Sequence, residues 1–565
     1  MILITSAKYV DSEFQVEFGK IPPSFLPLGG KRLYEYQAQI FSKQAQIQAR
    51  FTGGESKQKI ILSIPQSFVI SDFERSKIAK LGISLLFIPD NLSLGASINY
   101  CLNMNLPLNE PLQILHGDTY FGDFAPFADF LSTASSTNPT NAQDSNDALG
   151  ISKALHNYEW ANLDSHKFRL KGKSQKDFVL NGYFCIANPY AFIKAILCAN
   201  YDFITALKIY SQDFPFETLR NDSWLDFGLI SSYFHSKSAL FIKRHFNSIS
   251  IDSQGTFIAK TSCNTQKIKA EIMWFESLPK DLSPFVPSVY NDFYKTKSYK
   301  IEYLYLNTLA EIFVFGRLSD YAYKIIFEKI AEFLGKIHSI KPTRLPRFDI
   351  TKSRKDDFTT PNFNYRQKSA ERLRLFAKQR NLNLDKPFIF NNQKAPSLNA
   401  LLDSLDSFIC TKFTPRLIHG DFCFSNIAFD FRALRPKIFD PRGLDFSGIL
   451  SVYGDKRYDF AKLSHSVLGL YDFIVFGFYK CDFGESNEFY EVQFRVEISK
   501  HIKAIWDIFL DCFADIAQNK DEILAIMCHL FLSMLPLHCD DKARQNALLA
   551  NAYRIYFDFL NGGGK

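Results

Sequence analysis

The chain has 565 residues, of which 46% are hydrophobic and 57 are phenylalanine, and it carries a net charge of +7. At roughly 150 residues per domain this length predicts several domains, and the apolar content excludes a disordered chain. The small positive charge, without a dense block of Lys and Arg, argues against a nucleic-acid surface and suits anionic small molecules.

The cysteines and the N-terminus bear on the cellular compartment. The ten cysteines form no Cys-x-x-Cys pair, which predicts free thiols in a reducing compartment. The apolar run from Met1 to Ser6 has no basic lead or cleavage site, so we predict a strand and no signal peptide. Since no run of about 18 apolar residues occurs, no membrane span is expected. We therefore predict a cytoplasmic protein, and its oligomeric state stays open.

Short apolar strands alternate with helical stretches in the first 120 residues. Strands are predicted at residues 1–6, 59–64, 83–89 and 112–115, and helices at residues 31–43, 72–81 and 95–104. This alternation predicts a parallel sheet with helices on both faces. Ligands of such sheets bind beyond the carboxyl ends of the strands, so the residues that follow these strands are the first candidates for a site.

Four short motifs stand out in the N-terminal half. Residues 24–37 read SFLPLGGKRLYEYQ, residues 94–97 read LGAS at the start of a predicted helix, residues 112–118 read LQILHGD, and residues 224–228 read WLDFG. Together these motifs resemble those of the sugar-phosphate nucleotidyltransferases. The resemblance implies a Rossmann-like, GT-A-like α/β domain.

The same resemblance implies roles for four residues. Asp118 and Asp226 are expected to bind Mg²⁺, and Gly95 and Lys31 are expected to bind the nucleotide. Two carboxylates on one Mg²⁺ suit the reaction, in which a phosphate monoester attacks the α-phosphorus of a nucleoside triphosphate and pyrophosphate leaves. CTP is the favoured triphosphate.

The N-terminal motifs also depart from those of the family. The glycine-rich G-x-G-T-R opening is replaced by SAKYV at residues 6–10, and a family Lys is replaced by Ser24, with Lys20 as a candidate substitute. A second interpretation is therefore a nucleotide-binding or scaffold domain without catalysis. In that case Asp118 is a helix cap and Asp226 a residue of a surface turn.

The strongest motif lies in the C-terminal half. Residues 417–426 read LIHGDFCFSN, and a following apolar strand ends at residues 439–443, which read FDPRG. The stretch between them leaves room for a hairpin that brings its two ends together. These motifs resemble the catalytic loop and the metal-binding segment of the aminoglycoside phosphotransferase and choline kinase families, over residues 245–565. The resemblance implies an α+β protein-kinase-like fold.

This second resemblance implies a phosphoryl-transfer site. Asp421 is expected to accept the proton of the attacking hydroxyl, and Asn426 and Asp440 to hold the Mg²⁺ that bridges the phosphates of ATP. His419 is expected to hold the loop by hydrogen bonds, and Asp459 to have a role in the fold. A turn with a capped Asp is the simpler explanation of the His-Gly-Asp motif taken alone.

A kinase-like fold also needs a Lys on a strand and a Glu on a helix. A predicted strand ends in Lys260, and the predicted helix after it carries Glu271. We expect this pair to position the α- and β-phosphates of ATP, with Lys267 and Lys269 as weaker substitutes. Gly255 is isolated, which predicts a short phosphate-covering loop.

These motifs predict the organisation of the chain. We expect a nucleotidyltransferase-like domain at residues 1–240 with a mobile insertion at about 131–150, a kinase-like small lobe at 241–305 and a large lobe at 306–565. The polar, small residues at 132–147 are the basis for the insertion.

Two enzymes on one chain suggest two consecutive reactions. The first would phosphorylate a small alcohol, polyol or sugar with ATP, and the second would join the phosphate monoester to a nucleotide. The product would be an NDP-activated precursor of surface polysaccharide, such as capsule. The alternative is a small-molecule kinase with an inactive N-terminal domain.

Overall fold

The computed structural model describes residues 1–52, 59–134, 146–153, 168–171, 178–242, 249–251, 256–262, 264–291, 293–342 and 361–561. The chain divides into two units. The first unit contains Met1–Lys243 and Phe315–Arg317, and the second contains Arg244–Val314 and Leu318–Lys565. Most of the insertion predicted at 131–150 lies outside the described residues, as does Gly255.

The first unit is built on a seven-stranded sheet. In spatial order the strands are Glu217–Arg220, Ala148–Lys153, Phe178–Ile186, Leu112–His116, Ile2–Thr5, Ile60–Pro65 and Ile83–Ile88. The four strands from the first 120 residues run parallel to one another. This arrangement confirms the predicted parallel sheet, whose carboxyl ends meet at one edge.

Three strands of this sheet were not predicted, namely Glu217–Arg220, Ala148–Lys153 and Phe178–Ile186, and the last of them makes it a mixed sheet. Phe178–Ile186 runs antiparallel to Leu112–His116 and to Ala148–Lys153. All nine of its residues are buried. Its sequence FVLNGYFCI is apolar on both sides of Asn181 and Gly182 and shows no alternation, so the sequence alone does not separate a strand from a buried helix.

Helices cover the sheet of the first unit. They span Ser12–Phe18, Leu33–Thr52, Asp72–Lys80, Leu94–Asn103, Ala125–Ala134, Pro189–Cys198, Phe203–Asp213 and Ile230–Ile242. Several begin at a side-chain cap, as where the Ser93 hydroxyl accepts a hydrogen bond from the Ala96 N–H at 3.2 Å. The helix predicted at 31–43 begins two residues later, because Lys31 and Arg32 pair with Pro27–Leu28 in a hairpin.

The second unit begins with a small antiparallel sheet. Its strands, in spatial order, are Ile249–Ile251, Phe257–Thr261, Ser298–Glu302 and Val289–Asn291. The helix Thr265–Ser277 packs against it through Ile268 and Ile272, which contact Tyr299 on the sheet. The strand and helix predicted around Lys260 and Glu271 are both present.

The rest of the second unit is mainly helical. Its longer helices span Asp320–Ser339, Tyr365–Arg380, Leu398–Asp406, Lys456–Val467, Lys500–Cys512, Lys520–Met534 and Lys542–Ile555. A second four-stranded sheet contains Gln393–Ala395, Phe388–Phe390, Tyr490–Val496 and Tyr479–Glu485. The predicted hairpin is formed by Ile427–Asp430 and Arg435–Ile438. A small sheet with one helix, followed by a helical region, is the kinase-like α+β arrangement that the sequence predicts.

Two further observations concern the membrane and redox predictions. Among the described residues, the segment Lys520–His538 is long and apolar enough to cross a membrane, and 72% of it is buried inside the structure. It packs against the helices Tyr365–Arg380 and Lys456–Val467, as the core helix of a folded unit does. Every cysteine that the structure describes is a free thiol.

Candidate active sites

The buried carboxylate of Asp459 holds the loop that carries the His-Gly-Asp motif. Its two oxygens accept hydrogen bonds from the backbone N–H groups of His419, at 2.9 Å, and Gly420, at 2.8 Å. His338 contacts the same carboxylate, with Nε2 3.1 Å from Oδ2. Asp459 thus acts on the shape of the loop, which is the fold role expected from the sequence.

His419 also holds the loop in place. Its Nε2 lies 3.0 Å from the carbonyl oxygen of Phe439, and its Nδ1 accepts the backbone N–H of Asp421 at 3.3 Å. Burial lowers the pKa of His419, and this outweighs the carboxylates of Asp459 and Asp421, which raise it. The neutral ring with its proton on Nε2 satisfies both contacts.

Gly420 is a glycine for two physical reasons. Its φ of +77° lies in the left-handed region. A Cβ atom there would also lie 2.8 Å from the Cβ of Arg442, closer than real side chains approach. The backbone can therefore pass Arg442 only without a side chain.

The carboxylate of Asp421 is 40% exposed and contacts a lysine that the sequence analysis did not identify. Lys462 Nζ lies 2.8 Å from Oδ1 of Asp421. Burial raises the pKa of Asp421, but the Lys462 ammonium outweighs burial and lowers this pKa to about 2. Lys462 lies three residues after Asp459 on the helix Lys456–Val467, so its spacing from that structural Asp is the signal that could have revealed it.

Asn426 and Asp440 flank the predicted hairpin. The Asn426 Nδ2 group donates to the backbone oxygen of Asp421, at 2.9 Å, and to its Oδ2, at 3.1 Å. The Phe439 N–H donates to the Asn426 carbonyl at 3.1 Å, which closes the base of the hairpin beside Asp440. Asp440 takes a φ of +61°. The structure therefore brings Asp421, Asn426 and the start of the Asp-Pro-Arg-Gly segment together.

Asn426 and Asp440 present oxygen atoms that fit Mg²⁺. Because the Asn426 amide nitrogen donates to Asp421, its Oδ1 is left for another partner. The Asp440 carboxylate is 45% exposed. Amide and carboxylate oxygens are the ligands that this hard cation prefers.

Lys260 connects the small sheet to Asp440. Its Nζ lies 2.8 Å from Oε2 of Glu271 and also contacts the carboxylate of Asp440. Glu271 is buried and accepts a second hydrogen bond, at 2.6 Å, from the hydroxyl of Tyr299. Burial lowers the pKa of Lys260, but Asp440 and Glu271 outweigh it and raise this pKa. Lys267 is more distant, with its Nζ 3.9 Å from Oε1 of Glu271.

The first unit also brings its two predicted carboxylates together. Asp118 follows the strand Leu112–His116, and Asp226 ends the strand Trp224–Asp226. A Cβ atom on Gly228 would lie 2.9 Å from Oδ2 of Asp118 and 3.2 Å from Oδ1 of Asp226, so both carboxylates face the same glycine. Burial and the charge of Asp226 raise the pKa of Asp118 to about 7.

A cavity of about 1010 Å³ opens beside Asp118. It is lined by the first loop, residues 5–11, by Lys20, by residues 90–94 before a helix, and by Asp118 and Gly228. Lys8 and Lys20 bring positive charge to this cavity, and Lys20 Nζ lies 5.0 Å from the ring centroid of Tyr9. The paired carboxylates and the lysines suit a metal ion with a phosphate group.

His116 separates this cavity from a smaller one of about 190 Å³, which Phe184 and Phe203 also line. Burial lowers the pKa of His116 to about 4. Within the described residues its Nε2 is buried without a hydrogen-bond partner. A buried polar atom of this kind at a cavity is satisfied by a bound molecule or by water.

Two residues predicted to bind the nucleotide, Lys31 and Gly95, are not among the described residues that line the cavity. Lys31 Nζ lies 5.8 Å from the ring centroid of Tyr36. Gly95 is buried, and a Cβ atom there would lie 2.4 Å from the carbonyl oxygen of Tyr201. Close packing against Tyr201 therefore accounts for this glycine.

The departures from the nucleotidyltransferase motifs have a structural consequence. Ser24 is buried, its N–H donates to Oγ of Ser6 at 2.9 Å, and its hydroxyl donates to the carbonyl of Gly117 at 3.1 Å. The two serines thus hold the first loop, by hydrogen bonds, against the end of the strand Leu112–His116, which Asp118 follows. Ser24 occupies a structural position, whereas Lys20 lines the cavity.

The comparisons with known proteins match these two units separately. Residues 251–467 match the sequence model of the phosphotransferase enzyme family, APH. A search of curated proteins found no match.

Solved structures similar to the chain include enzymes of both kinds. A nucleoside-diphosphate-sugar pyrophosphorylase from Vibrio cholerae has 12% identity and a TM-score of 0.31, covering 42% of this chain and all of its own. The UTP-bound UGPase from Acinetobacter baumannii has 11% identity and a TM-score of 0.32, covering 43% of this chain and 93% of its own. The gentamicin complex of APH(2″)-IIa has 14% identity and a TM-score of 0.32, covering 56% of this chain and 95% of its own. At these scores none of the three bears on activity.

The family match falls on the unit that contains the His-Gly-Asp loop, the Asp-Pro-Arg-Gly segment and the Lys260–Glu271 pair. It confirms the phosphotransferase resemblance on which the prediction for this half of the chain was based. Residues 251–467 are therefore the part of the chain that resembles the phosphotransferase enzyme family.

Proposed function

We propose that the chain is a bifunctional enzyme. Its second unit would phosphorylate a small alcohol, polyol or sugar with ATP, and its first unit would join the phosphate monoester to a nucleotide. The observation that carries the kinase half is the connected set of contacts from Glu271 through Lys260 to Asp440, beside Asn426 and Asp421. The carboxylate pair at the cavity of the first unit supports the second half.

In the kinase step the hydroxyl oxygen of the acceptor attacks the γ-phosphorus of ATP. The bond from that phosphorus to the bridging oxygen breaks, ADP leaves, and Asp421 accepts the hydroxyl proton. Lys260, aligned by Glu271, binds the α- and β-phosphates. Asn426 and Asp440 would hold Mg²⁺, which neutralises phosphate charge when bound. A pKa of about 2 keeps Asp421 ionised at neutral pH, and little base strength is needed when the transition state is loose.

In the second step an oxygen of the phosphate monoester attacks the α-phosphorus of a nucleoside triphosphate, and pyrophosphate leaves. Asp118 and Asp226 would hold Mg²⁺, which supplies charge neutralisation for the two anions when bound. Lys8 and Lys20 would attract the phosphates to the cavity. CTP is the triphosphate that we favour, and the product would be an activated precursor for surface polysaccharide such as capsule.

The pairing of the two units supports this order of reactions. A kinase makes a phosphate monoester, and a nucleotidyltransferase consumes one, so the product of the first reaction can serve as the substrate of the second. The free thiols of the described cysteines fit a reducing, cytoplasmic location, where ATP and other nucleotides are available.

The kinase half is tested with γ-labelled ATP and a panel of alcohols, polyols, sugars and amino alcohols. We expect label to enter one class of acceptor, and Asp421→Asn to abolish this transfer. The control is Asp118→Asn, which should leave transfer unchanged. Absence of labelled product across the panel would overturn the kinase proposal.

The nucleotidyltransferase half is tested with the isolated phosphorylated product and each of the four nucleoside triphosphates. We expect pyrophosphate release with CTP and its loss in Asp118→Asn and Asp226→Asn. Here Asp421→Asn is the matched control, since it should release pyrophosphate at the wild-type rate.

The alternative is a kinase with an inactive N-terminal domain. The missing G-x-G-T-R opening and the structural position of Ser24 favour it. The two proposals differ in one result. If triphosphates bind to the full chain but no pyrophosphate forms with any phosphorylated product, the first unit is a binding domain.

A further inference from the structure

The Asp421 carboxylate lies at the edge of a group of cations that come from separate elements. Lys368 belongs to the helix Tyr365–Arg380, Lys462 to the helix Lys456–Val467, and Arg442 to the segment that follows Asp440. Lys368 Nζ lies 3.5 Å from the hydroxyl oxygen of Tyr458, and a guanidinium nitrogen of Arg442 lies 3.3 Å from the same oxygen. Since Tyr458 and Lys462 are one helical turn apart, all three cations meet around one hydroxyl and one carboxylate.

Phe446 helps to hold two of these cations together. Lys368 Nζ lies 3.8 Å from its ring centroid, and Arg442 Cζ lies 5.1 Å from it. The face of an aromatic ring attracts cations, so it can keep both in place without neutralising them. Arg372 lies one turn after Lys368 on the same helix face and adds a further positive charge nearby.

Few carboxylates balance this charge. In the part of the chain that the structure describes, Asp421 pairs with Lys462, and no carboxylate pairs with Lys368, Arg372 or Arg442. The buried Asp445 faces backbone groups instead and accepts the N–H groups of Asn362, Ser447 and Ile449.

The positive charges of this group act on the pKa of Lys368. Burial lowers the pKa of Lys368 far below its usual value, and the charges of Arg442, Lys462 and Arg372 lower it further, against the opposing effect of Asp421. An anion bound between these cations would relieve their repulsion.

We propose that the acceptor of the kinase reaction is an anionic alcohol, in which a phosphate or carboxylate group binds Lys368 and Arg442 while a hydroxyl faces Asp421. This inference rests on the proposed kinase function and specifies its substrate class. In the proposed mechanism Lys260, which contacts Glu271 and Asp440, binds the phosphates of ATP. Lys462 contacts Asp421 instead, so this second group of cations is left to the acceptor.

The geometry also limits the size of the acceptor. Side chains one turn apart on a helix are separated by roughly 5–6 Å, which is the spacing of Tyr458 and Lys462. The anionic group and the reacting hydroxyl therefore lie within a few bonds of each other. Arg442 Nε donates to the carbonyl of Leu444 at 2.9 Å, and the terminal nitrogens make longer contacts of 3.3 Å to the Tyr458 hydroxyl and 3.4 Å to the Asp445 carbonyl. In the proposed complex these two terminal nitrogens bind either a carboxylate or a phosphate group.

The first experiment measures binding by calorimetry in the presence of saturating ADP and Mg²⁺, which occupy the nucleotide site. The probes are two matched sets: glycerol, glycerol 3-phosphate and D-glycerate, and glucose, glucose 6-phosphate and gluconate. We expect an anionic member to bind at least 10-fold more tightly than its neutral partner, and the phosphate and carboxylate members show which group is preferred. Lys368→Gln should lose at least 10-fold in this affinity.

The matched control is Lys378→Gln, an exposed lysine about 15 Å further along the same helix. It should bind the anionic probes like the wild type. The proposal is overturned if no anionic probe binds more tightly than its neutral partner, or if Lys368→Gln and Lys378→Gln lose affinity equally.

The second experiment separates this proposal from the kinase proposal. With labelled ATP, Lys368→Gln should raise the KM for the anionic acceptor at least 10-fold and change the KM for ATP less than 2-fold. Preferred phosphorylation of neutral or cationic alcohols would overturn the anionic acceptor while the kinase stands. Anion binding that depends on Lys368, without any phosphoryl transfer, would overturn the kinase while the anion site stands.

Discussion

The carboxylate of Asp421 and the ammonium of Lys462 lie 2.8 Å apart, although they belong to a loop and to a helix that are distant in sequence. Burial raises the pKa of Asp421 and lowers that of Lys462, and in both residues the attraction between the charges outweighs burial. The pair therefore keeps both groups charged at neutral pH. It also fixes the orientation of the carboxylate that would face the acceptor hydroxyl.

Lys462→Met should impair the kinase and change its pH profile. Without the ammonium, burial dominates and raises the pKa of Asp421, so the acid limb of kcat/KM moves to higher pH. At neutral pH we expect a loss of roughly 10²-fold in kcat, the scale of a misplaced acid–base group. Kinetics from pH 5 to pH 9 check this, with Lys462→Arg as the charge-preserving control. An unshifted acid limb in Lys462→Met would contradict the role of the pair.

From the contacts of Glu271 we predict that substitutions of Glu271 and Tyr299 impair the use of ATP to different degrees. Glu271→Gln removes the charge that aligns Lys260, and we expect kcat/KM for ATP to fall roughly 10²-fold, as when a transition-state donor is misplaced. Tyr299→Phe removes only the 2.6 Å hydrogen bond to the same carboxylate and leaves the ion pair intact. Its loss should be less than 10-fold. Steady-state kinetics with varied ATP measure both, and the reverse order would show that Lys260 is aligned by another group.

Binding of an anionic acceptor should take up protons at Lys368. In the free protein the pKa of Lys368 is far below its usual value of 10.5, because of burial and the charges of Arg442, Lys462 and Arg372, opposed only by Asp421. A bound anion favours the charged ammonium and raises this pKa. Between the lowered pKa and 10.5, affinity therefore falls as pH rises. Calorimetry in buffers of different ionisation enthalpy measures the uptake, which should vanish in Lys368→Gln.

Lys368→Met should stabilise the free protein while it impairs acceptor binding. A lysine with a lowered pKa in the folded state loses its proton on folding, which destabilises the protein at every pH below 10.5. Methionine has no charge to desolvate, so we expect a gain of about 1 kcal/mol at pH 7, the scale seen when poorly compensated buried charges are replaced. Urea unfolding checks this, and the gain should shrink as pH approaches 10.5. A destabilised Lys368→Met would show that its ammonium is compensated in the free protein.

Because of the two carboxylates of the first unit, we expect the free energy of unfolding to decrease as pH rises. The pKa of Asp118 is about 7, against a usual 3.8, because of burial and the charge of Asp226. Folding therefore binds a proton between pH 4 and pH 7, and stability falls as pH rises through this window. Asp118→Asn removes this dependence, so relative to the wild type it should be more stable at pH 8 than at pH 5. Urea unfolding in EDTA measures the free energy of unfolding of both proteins, and an equal difference between them at pH 5 and pH 8 would contradict the raised pKa of Asp118.

Local patterns were the most predictable part of this protein. The strands and helices around Lys260 and Glu271 follow from residue periodicity, and the closeness of Asn426 and Asp440 follows from the short hairpin that joins them. The strand Phe178–Ile186 escaped prediction because both of its faces are buried, so its sequence shows no alternation, and Asn181 and Gly182 interrupt its apolar run. The close packing of Gly95 against Tyr201 was not predicted, because it is a contact between residues far apart in sequence, and the role of Gly95 in nucleotide binding stays a prediction.

By itself the sequence determined the two kinds of unit, their order along the chain and the residue types of the phosphoryl-transfer loop, because spacing over a few residues sets local structure. Only the tertiary structure decided which distant residues surround Asp421. Arg442 belongs to the Asp-Pro-Arg-Gly segment and Lys462 follows Asp459 by three residues, but both are distant in sequence from Lys368. The three meet only because the helices Tyr365–Arg380 and Lys456–Val467 pack beside the same loop. Charge acts through space, so the electrostatics of the acceptor site could not be predicted from the order of residues.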